Sequence, residues 1–198
     1  MSFPNCNNLL TTLTANCLGE NRPGGVDGVV YIGNRSDLAS ITVDATSKEI
    51  TALSLKATKK LVKLAGKNQM HELKTAIKAM KPRNMFTQTA SLFFWPYTQL
   101  DLIAIQNLYL AKRLFIIVIG TDARIKIFGI DRNPWNAADL DDERGLQATG
   151  GDILEGKTIE TDTWTNVQLG GDFYEVPFYF NTSVALATNI TTLDGLCA

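Results

Sequence analysis

The stretch GDILEGKT, residues 151–158, fits the phosphate-binding pattern G-x-x-x-x-G-K-[ST] letter for letter. Such a loop binds a nucleotide when a buried strand leads into it and a helix follows, because its backbone N–H groups and the helix N-terminus then face the phosphates. The residues before it, DDERGLQAT, are polar, and those after it, IETDTWTNVQL, have little helical character. Asp152 and Glu155 would also place carboxylates beside the phosphates. We expect a polar surface turn between strands, with Lys157 in solvent, and keep a P-loop nucleotide-binding enzyme as the remote alternative.

The only histidine, His71, would have to serve any Ser-His-Asp or Cys-His catalytic scheme. It lies beside Glu72 with no cysteine nearby in the sequence, so we expect a surface histidine rather than a catalytic base. An acidic segment has neither the spacing nor the glycine turn of an EF-hand, which favours a solvated loop over a metal site. Its four acids are Asp139, Asp141, Asp142 and Glu143. The sequence predicts no catalytic residue, no cofactor and no metal, and a protein that is not an enzyme.

Three cysteines, Cys6, Cys17 and Cys197, lie near the two ends of the chain. An odd number of cysteines without metal-ligand spacing argues against a disulfide framework and against a zinc site. We expect reduced thiols.

The composition is that of one ordinary globular domain. The chain has 198 residues, of which 45% are hydrophobic and 20% charged, with a net charge of −1. The longest apolar run, LFIIVI at residues 114–119, is too short to span a bilayer and favours a buried strand. The first ten residues lack the basic start and apolar stretch of a secretory signal. We expect a soluble protein with no membrane partner.

Charge is unevenly distributed along the chain. Residues 56–83 contain nine basic residues and one acid, whereas residues 131–198 contain twelve acids and three basic residues. The basic segment is dominated by lysine and contains no aromatic residue, so it lacks the stacking side chains of single-strand nucleic-acid binders. A solvated face, or a contact with the acidic third of a neighbouring copy, is favoured over nucleic-acid binding.

Most of the chain has the alternation and turn chemistry of β structure. Residues 1–25 are rich in Asn, Thr, Gly and Pro and predict an N-terminal arm that needs a partner surface to order it. GVVYIGN, residues 28–34, predicts a strand, and residues 41–55 predict a hairpin around a polar turn. LFIIVIGTDARIKIFGID, residues 114–131, predicts two further strands joined by a tight turn.

Residues 70–81, MHELKTAIKAMK, are ambiguous. Met70, Leu73 and Ile77 recur at helical spacing, whereas His71, Leu73 and Ile77 also share one face of a strand. The following MFTQTASLFFW alternates as a strand except at Gln88, so a long hairpin competes with a helix here.

Residues 97–113, YTQLDLIAIQNLYLAKR, predict the one clear helix. Pro96 precedes it, and Lys112 and Arg113 suit the negative C-terminal end of a helix. Its apolar residues cover more than one stripe, which predicts a helix packed between two surfaces. Aromatic runs before it and at residues 173–180 point both ways from strands, so we expect both faces of those strands to be covered, in part by another subunit.

Four segments follow one another in an order that is similar to a known family: TQTASLFFWP, YTQLDLIAIQNLYLAKR, LFIIVIGTDARIKIFGID and DERGLQATGGDILEGKT. With the opening GGVDGVVYIGN and the following ITVD, this series resembles the tail tube proteins of tailed bacteriophages. The likeness covers roughly residues 23–180 as a pattern of elements.

The resemblance implies a mainly-β fold: an antiparallel β-sandwich or barrel with one flanking α-helix at about 97–113, a long β-hairpin at about 70–95 and extended terminal arms. It favours a strand over a helix for residues 70–81. It also implies a single domain over residues 1–198, with an N-terminal arm at 1–25, a core at 26–180 and a C-terminal arm at 181–198.

The implied function is structural. Members of the family form hexameric rings that stack into a tube for viral DNA, so the expected partners are further copies of the chain, other tail proteins (tape measure, sheath, baseplate, terminator) and DNA in transit. The expected location is the virion tail, assembled in the cytoplasm of a host bacterium. We expect assembly contacts at Lys74, Lys78, Arg83, Phe94, Trp95 and Lys157.

Two features leave alternatives open. Tube lumens in this family tend to be negative, whereas the hairpin carries several basic residues, which would then face outward or contact acidic loops of the next ring. Another virion ring protein, such as a tail terminator or a head–tail connector, shares the strand-rich composition without catalytic residues.

Overall fold

The computed structural model describes residues 26–65, 71–79, 85–94, 99–132, 143–154 and 164–197. The described residues are mainly β, with antiparallel sheets and two α-helices. The strands are β1 (Val26–Asn34), β2 (Leu38–Val43), β3 (Ile50–Leu55), β4 (Val62–Ala65), β5 (Glu72–Lys78), β6 (Met85–Phe94), β7 (Leu114–Gly120), β8 (Ile125–Phe128), β9 (Gln147–Leu154), β10 (Trp164–Phe173) and β11 (Phe178–Tyr179). The helices are α1 (Gln99–Leu110) and α2 (Leu186–Asp194).

A five-stranded sheet in the order β11-β8-β7-β1-β4 forms the middle layer. Every residue of β7 is buried, which matches its sequence, LFIIVIG, because a strand covered on both faces needs no polar alternation. The predicted pair of strands at residues 114–131 is confirmed as β7 and β8, which pair antiparallel from Ile116 opposite Phe128 to Ile119 opposite Ile125.

A four-stranded sheet in the order β5-β6-β10-β9 covers one face of the middle sheet. Alternate residues of β6 and β10, such as Leu92 and Val167, pack against Val30 and Ile116 of the middle sheet in one apolar cluster. This is the predicted β-sandwich. The predicted hairpin is also confirmed: β5 and β6 pair antiparallel along the whole length of β5. Of the ambiguous segment, Glu72–Lys78 is therefore a strand and not a helix, because backbone pairing with β6 holds it extended.

The other face of the middle sheet is covered by the β2–β3 hairpin and by α2. Leu38, Ile50 and Leu193 complete a second apolar cluster with side chains of β1, β7 and β8. The β2–β3 hairpin confirms the prediction for residues 41–55. The extended C-terminal arm is wrong for residues 186–194, because Leu193 is fully buried and the segment is helical so that it can place this side chain on the sheet.

The predicted helix is confirmed as α1, which ends at Leu110 and not at Arg113. Ile105 and Leu108 enter the apolar cluster between the two sheets. Tyr109 donates a hydrogen bond of 3.0 Å from its hydroxyl to the carbonyl oxygen of Asn166 in β10. The helix therefore closes the sandwich on the side of β9 and β10. The N-terminal arm predicted at residues 1–25 lies outside the described residues.

Candidate assembly surfaces

Strand β5 forms one edge of the four-stranded sheet. It pairs with β6, from Glu72 opposite Ser91 to Lys78 opposite Met85, and pairs with no described residue on its other side. Its side chains are exposed apart from Leu73, which packs partly on the core. Ile77, a large aliphatic residue on this strand, is 75% exposed to solvent. Such an edge is a template for pairing with another strand.

Strand β9 forms the opposite edge of the same sheet. It pairs with β10, from Trp164 opposite Leu154 to Gly170 opposite Gln147, and from Gln147 onward it pairs with nothing else in the described chain. Asp152 is exposed on this edge. The outer sheet thus has two open edges, which carry exposed charges of opposite sign in Lys74 and Asp152.

Lys78 is engaged within the subunit. Its ammonium group lies 2.7 Å from a carboxylate oxygen of Asp172, and Thr87 donates a 2.6 Å hydrogen bond to the other oxygen. The hydrogen bond from Lys78 and then the one from Thr87 lower the pKa of Asp172 below its usual value. These contacts join the free end of β5 to the end of β10, so Lys78 fixes the hairpin.

The half of the hairpin nearer its turn is also held by Gln88, the one polar residue on the apolar face of β6. It is fully buried. Its amide nitrogen donates to the carbonyl oxygen of Glu175 at 3.0 Å, and its amide oxygen accepts from the backbone N–H of Gly129 at 3.0 Å. Gly129 has a φ of 84°, and a Cβ there would contact the Leu114 carbonyl oxygen. The exception in the β6 alternation is therefore the hydrogen-bonded link between the two sheets.

A charged cluster surrounds this link. The Nε of Arg132 donates to both carboxylate oxygens of Glu175 at 3.0 Å, which raises the pKa of Arg132 above its usual value. Asp131 is fully buried and accepts a 2.7 Å hydrogen bond from the backbone N–H of Tyr174. Arg144 stacks on the Tyr174 ring at 4.0 Å. Each of these polar contacts orders the loop after β10, so the cluster has a structural explanation.

Helix α1 has an apolar outer face that the described chain does not cover. Leu100 is 76% exposed, Leu110 is 71% exposed and Ile103 is 43% exposed. The sequence predicted a helix between two surfaces, and the described residues supply only one of them. Exposed aliphatic side chains grouped on one helix are typical of a protein contact surface.

The structure places three of the six predicted assembly residues. Lys74 is exposed on the open edge, and Lys78 is beside it in the ion pair with Asp172. Phe94 is only 6% exposed and belongs to the core cluster, so it packs within its own subunit. Arg83, Trp95 and Lys157 lie outside the described residues.

The prediction of a surface histidine is wrong. His71 is 3% exposed, its Nδ1 accepts a 3.0 Å hydrogen bond from the backbone N–H of Phe93, and its ring lies 5.7 Å from that of Phe94. The residue shares the core-facing side of the strand with Leu73. Burial among apolar side chains follows from this register.

The phosphate-loop pattern begins inside a strand. Residues 151–154 form the end of β9 and pair with β10, Gly151 opposite Val167 and Leu154 opposite Trp164. The expectation of a turn over the whole stretch is therefore wrong for its first half, which belongs to β9. Gly151 has a φ of 151°, and a Cβ there would collide with the hydroxyl of Tyr109 and the carbonyl of Asn166. This glycine is explained by the close approach of α1. Residues 155–158 lie outside the described part of the chain.

Little in the described residues suggests chemistry. No group of three His, Cys, Asp or Glu side chains in them is placed to hold a metal ion; Asp139, Asp141 and Asp142 lie outside. Cys197 is a free thiol whose pKa is raised by burial. Cys6 and Cys17 lie outside the described residues. Neither described helix has the length and apolar character needed to cross a membrane.

Comparison of the chain with protein-family models, with curated protein sequences and with solved structures finds no match. The function is therefore argued from the surfaces described above.

Sequence reasoning missed three features of the structure. Helix α2 had a signal in the spacing of Leu186, Ile190 and Leu193, which is helical. The role of Gln88 also had a signal, because it is a polar residue at a position where the alternation of β6 calls for an apolar one. The open edges of β5 and β9 had no local signal, because strand order depends on contacts between distant segments.

Proposed function

We propose that the chain is a structural subunit of a bacteriophage tail tube, which assembles through its β-sandwich into hexameric rings that stack into a conduit for DNA. The observation that carries the proposal is that β5 and β9, the two edges of one sheet, both lack a partner among the described residues. A ring that joins β5 of one copy to β9 of the next leaves no such edge open.

Edge pairing favours a closed ring on physical grounds. Exposed strand edges promote aggregation unless they are blocked or paired, and head-to-tail pairing that closes on itself uses every edge. Lys74 on β5 and Asp152 on β9 are both exposed, and these two side chains are opposite in charge. Ile77, exposed on β5, gains an apolar environment in the same contact.

The basic hairpin is compatible with a conduit for DNA. Lys78 is neutralised by Asp172 of its own subunit, at 2.7 Å. The other charged residues of β5 are Lys74 and Glu72, which are opposite in sign. The described part of the hairpin therefore presents little net positive charge to a polyanion.

Negative-stain electron microscopy of the purified chain tests the proposal, with sedimentation velocity to measure the assembled fraction. We expect rings and tubes for the wild-type chain. Ile77→Glu, which adds a charge to the open edge, is expected to leave monomers. Val176→Glu is the matched control, because Val176 is a 52% exposed aliphatic residue in the loop before β11 and belongs to neither edge strand.

Monomers of the wild-type chain at every salt and protein concentration would overturn the proposal. Single rings that never stack would instead favour a terminator or connector. Equal assembly of Ile77→Glu and Val176→Glu would show that β5 is not in the contact.

A further inference from the structure

A cavity of about 340 Å³ separates α1 from strands β1 and β4. Its volume lies within the range of roughly 300–1,000 Å³ that small-molecule sites occupy in proteins. Side chains of both sheets and of the helix form its apolar wall. Six of them are Ile32, Val62, Leu64, Phe94, Ile105 and Leu108.

Val62 shows that this wall is incompletely covered. It lies on the same side of β4 as Leu64, because the two pair with Ile32 and Val30, whose side chains face the core. Val62 is nevertheless 52% exposed. A core-facing strand residue in contact with water gains stability from any apolar group that displaces the water.

The helix leaves room along the cavity. Ala104 and Leu108 of α1 line it together with Ala111, the residue after the end of α1. Ala111 still donates a helical hydrogen bond to Asn107, so the spacing of four and three residues places all three on one side. The short side chains at positions 104 and 111 leave a channel on either side of Leu108. An unbranched alkyl chain fits such a channel better than a bulky ring system.

Polar groups occur on the same cavity wall: Asn34, Lys60 and Asn107. The neighbouring lysines are neutralised, since Lys59 lies 3.2 Å from Asp37 and Lys63 lies 2.7 Å from Asp194. Lys60 forms no ion pair with any described residue. A cation without a carboxylate partner beside an apolar cavity is complementary to an anionic head on an apolar chain.

We propose that this cavity binds a single-chain amphiphile with a carboxylate head, of the fatty-acid class, with the alkyl chain between α1 and β4 and the carboxylate at Lys60. The β5 strand of a second copy is a poorer occupant, because it would bring Lys74 toward Lys60. The inference goes beyond tube assembly and does not depend on it.

Fluorescence titration of the full chain with dansylundecanoate, a fatty-acid probe whose emission rises in apolar surroundings, tests the site. We expect saturable binding of one probe per chain and displacement by decanoate. Decyltrimethylammonium, with the same alkyl chain and the opposite charge, is expected to displace the probe more weakly.

Variants of the protein test the contacts of the ligand's head group and of its alkyl chain separately. Lys60→Gln is expected to weaken probe binding about two- to fivefold, the effect of one partly exposed ion pair. Lys56→Gln is the matched control, an exposed lysine of the same segment outside the cavity wall. Ala104→Phe fills the channel and is expected to abolish binding. Circular dichroism checks that Ala104→Phe is folded; if it is not, Lys60→Gln and the head-group comparison decide.

Equal displacement by decanoate and decyltrimethylammonium would overturn the carboxylate assignment, as would equal affinities of Lys60→Gln and Lys56→Gln. Absence of saturable binding would overturn the site itself. Should Ala104→Phe then dissociate an oligomer in sedimentation velocity, the cavity belongs to a contact with a second copy.

Discussion

At the scale of single residues, the informative side chains are buried polar ones. Gln88 lies on the apolar face of β6 and has both ends of its amide hydrogen-bonded, to Glu175 and to Gly129. A glutamine in this place links the outer sheet to the segment that follows β8. A leucine of similar volume would fill the space and leave two backbone groups without partners.

Gln88→Leu is expected to lower the free energy of unfolding by about 2–4 kcal/mol, because two buried backbone groups lose their hydrogen bonds. Urea denaturation followed by circular dichroism measures the change. Gln168→Leu is the matched control, an exposed glutamine of β10 in the same sheet, and is expected to change stability by about 0.5 kcal/mol or less. Equal losses in the two variants would contradict the role of Gln88.

Asp172 gives the hairpin a dependence on pH. Its pKa is lowered in the folded chain from the ordinary 3.8, so its contacts stabilise the fold above that pH and are lost as the pH falls through the lowered value. We expect the unfolding free energy of Asp172→Asn to fall less steeply below pH 3.8 than that of the wild-type chain. Asp152→Asn, at an exposed carboxylate of β9, is expected to keep the wild-type slope; the same slope in both variants would refute the assignment.

At the scale of elements, α1 and β9 explain the glycine that opens the phosphate-loop pattern. The Tyr109 hydroxyl approaches the backbone of Gly151 and Asn166 so closely that a Cβ at position 151 has no space. The glycine at this position of the pattern is therefore explained by the packing of α1 on the sheet. It does not require a phosphate.

Gly151→Ala is expected to destabilise the chain by about 3 kcal/mol, because of the collision with Tyr109 and the strained backbone. Gly150→Ala is a matched control, since a Cβ there meets only the end of the Gln168 side chain, at 3.1 Å. Thermal unfolding compares the two. Adding Tyr109→Phe to Gly151→Ala should restore part of the loss; no difference between the two glycine variants would contradict the close approach.

Elements whose own residues show a clear hydrophobic pattern or turn could be predicted from the sequence. The run LFIIVIG gave β7, the polar turn at residues 45–48 gave the β2–β3 hairpin, and α1 followed from its apolar density and flanking residues. The position of His71 was not predictable, because its burial depends on which side of β5 faces the core. The edges of the outer sheet were not predictable either, because β10 is inserted between β6 and β9 by contacts far apart in the sequence.

At the scale of the whole molecule, one side of the middle sheet is closed by the chain itself. The β2–β3 hairpin and α2 cover that face, and Tyr31 and Lys63 of the middle sheet both contact Asp194 at the end of α2, at 2.9 and 2.7 Å. The described surfaces left for contact with other copies include the outer sheet edges and the outer face of α1. Assembly is therefore expected to be directional.

Leu110→Lys is expected to raise the protein concentration needed for polymer formation, because it places a charge on the apolar outer face of α1. The stability of the monomer should change by about 0.5 kcal/mol or less, since the residue is 71% exposed. Light scattering against concentration measures polymer formation. Val176→Lys, at an exposed aliphatic residue outside α1, is the matched control; equal thresholds for both variants would exclude the outer face from the contact.

The amide of Gln88 also sets a mechanical property of the molecule. A pull on the β5–β6 hairpin passes to the backbone at Glu175 and Gly129 through the two hydrogen bonds of this side chain, and to β10 of the same sheet through the contact of Lys78 and Thr87 with Asp172. Because Thr87 and Gln88 are neighbours in β6, a load on the turn half of the hairpin is divided between β10 and the segment that follows β8. A subunit tied in this way deforms as one stiff body, so bending of any assembly built from it would be concentrated between subunits.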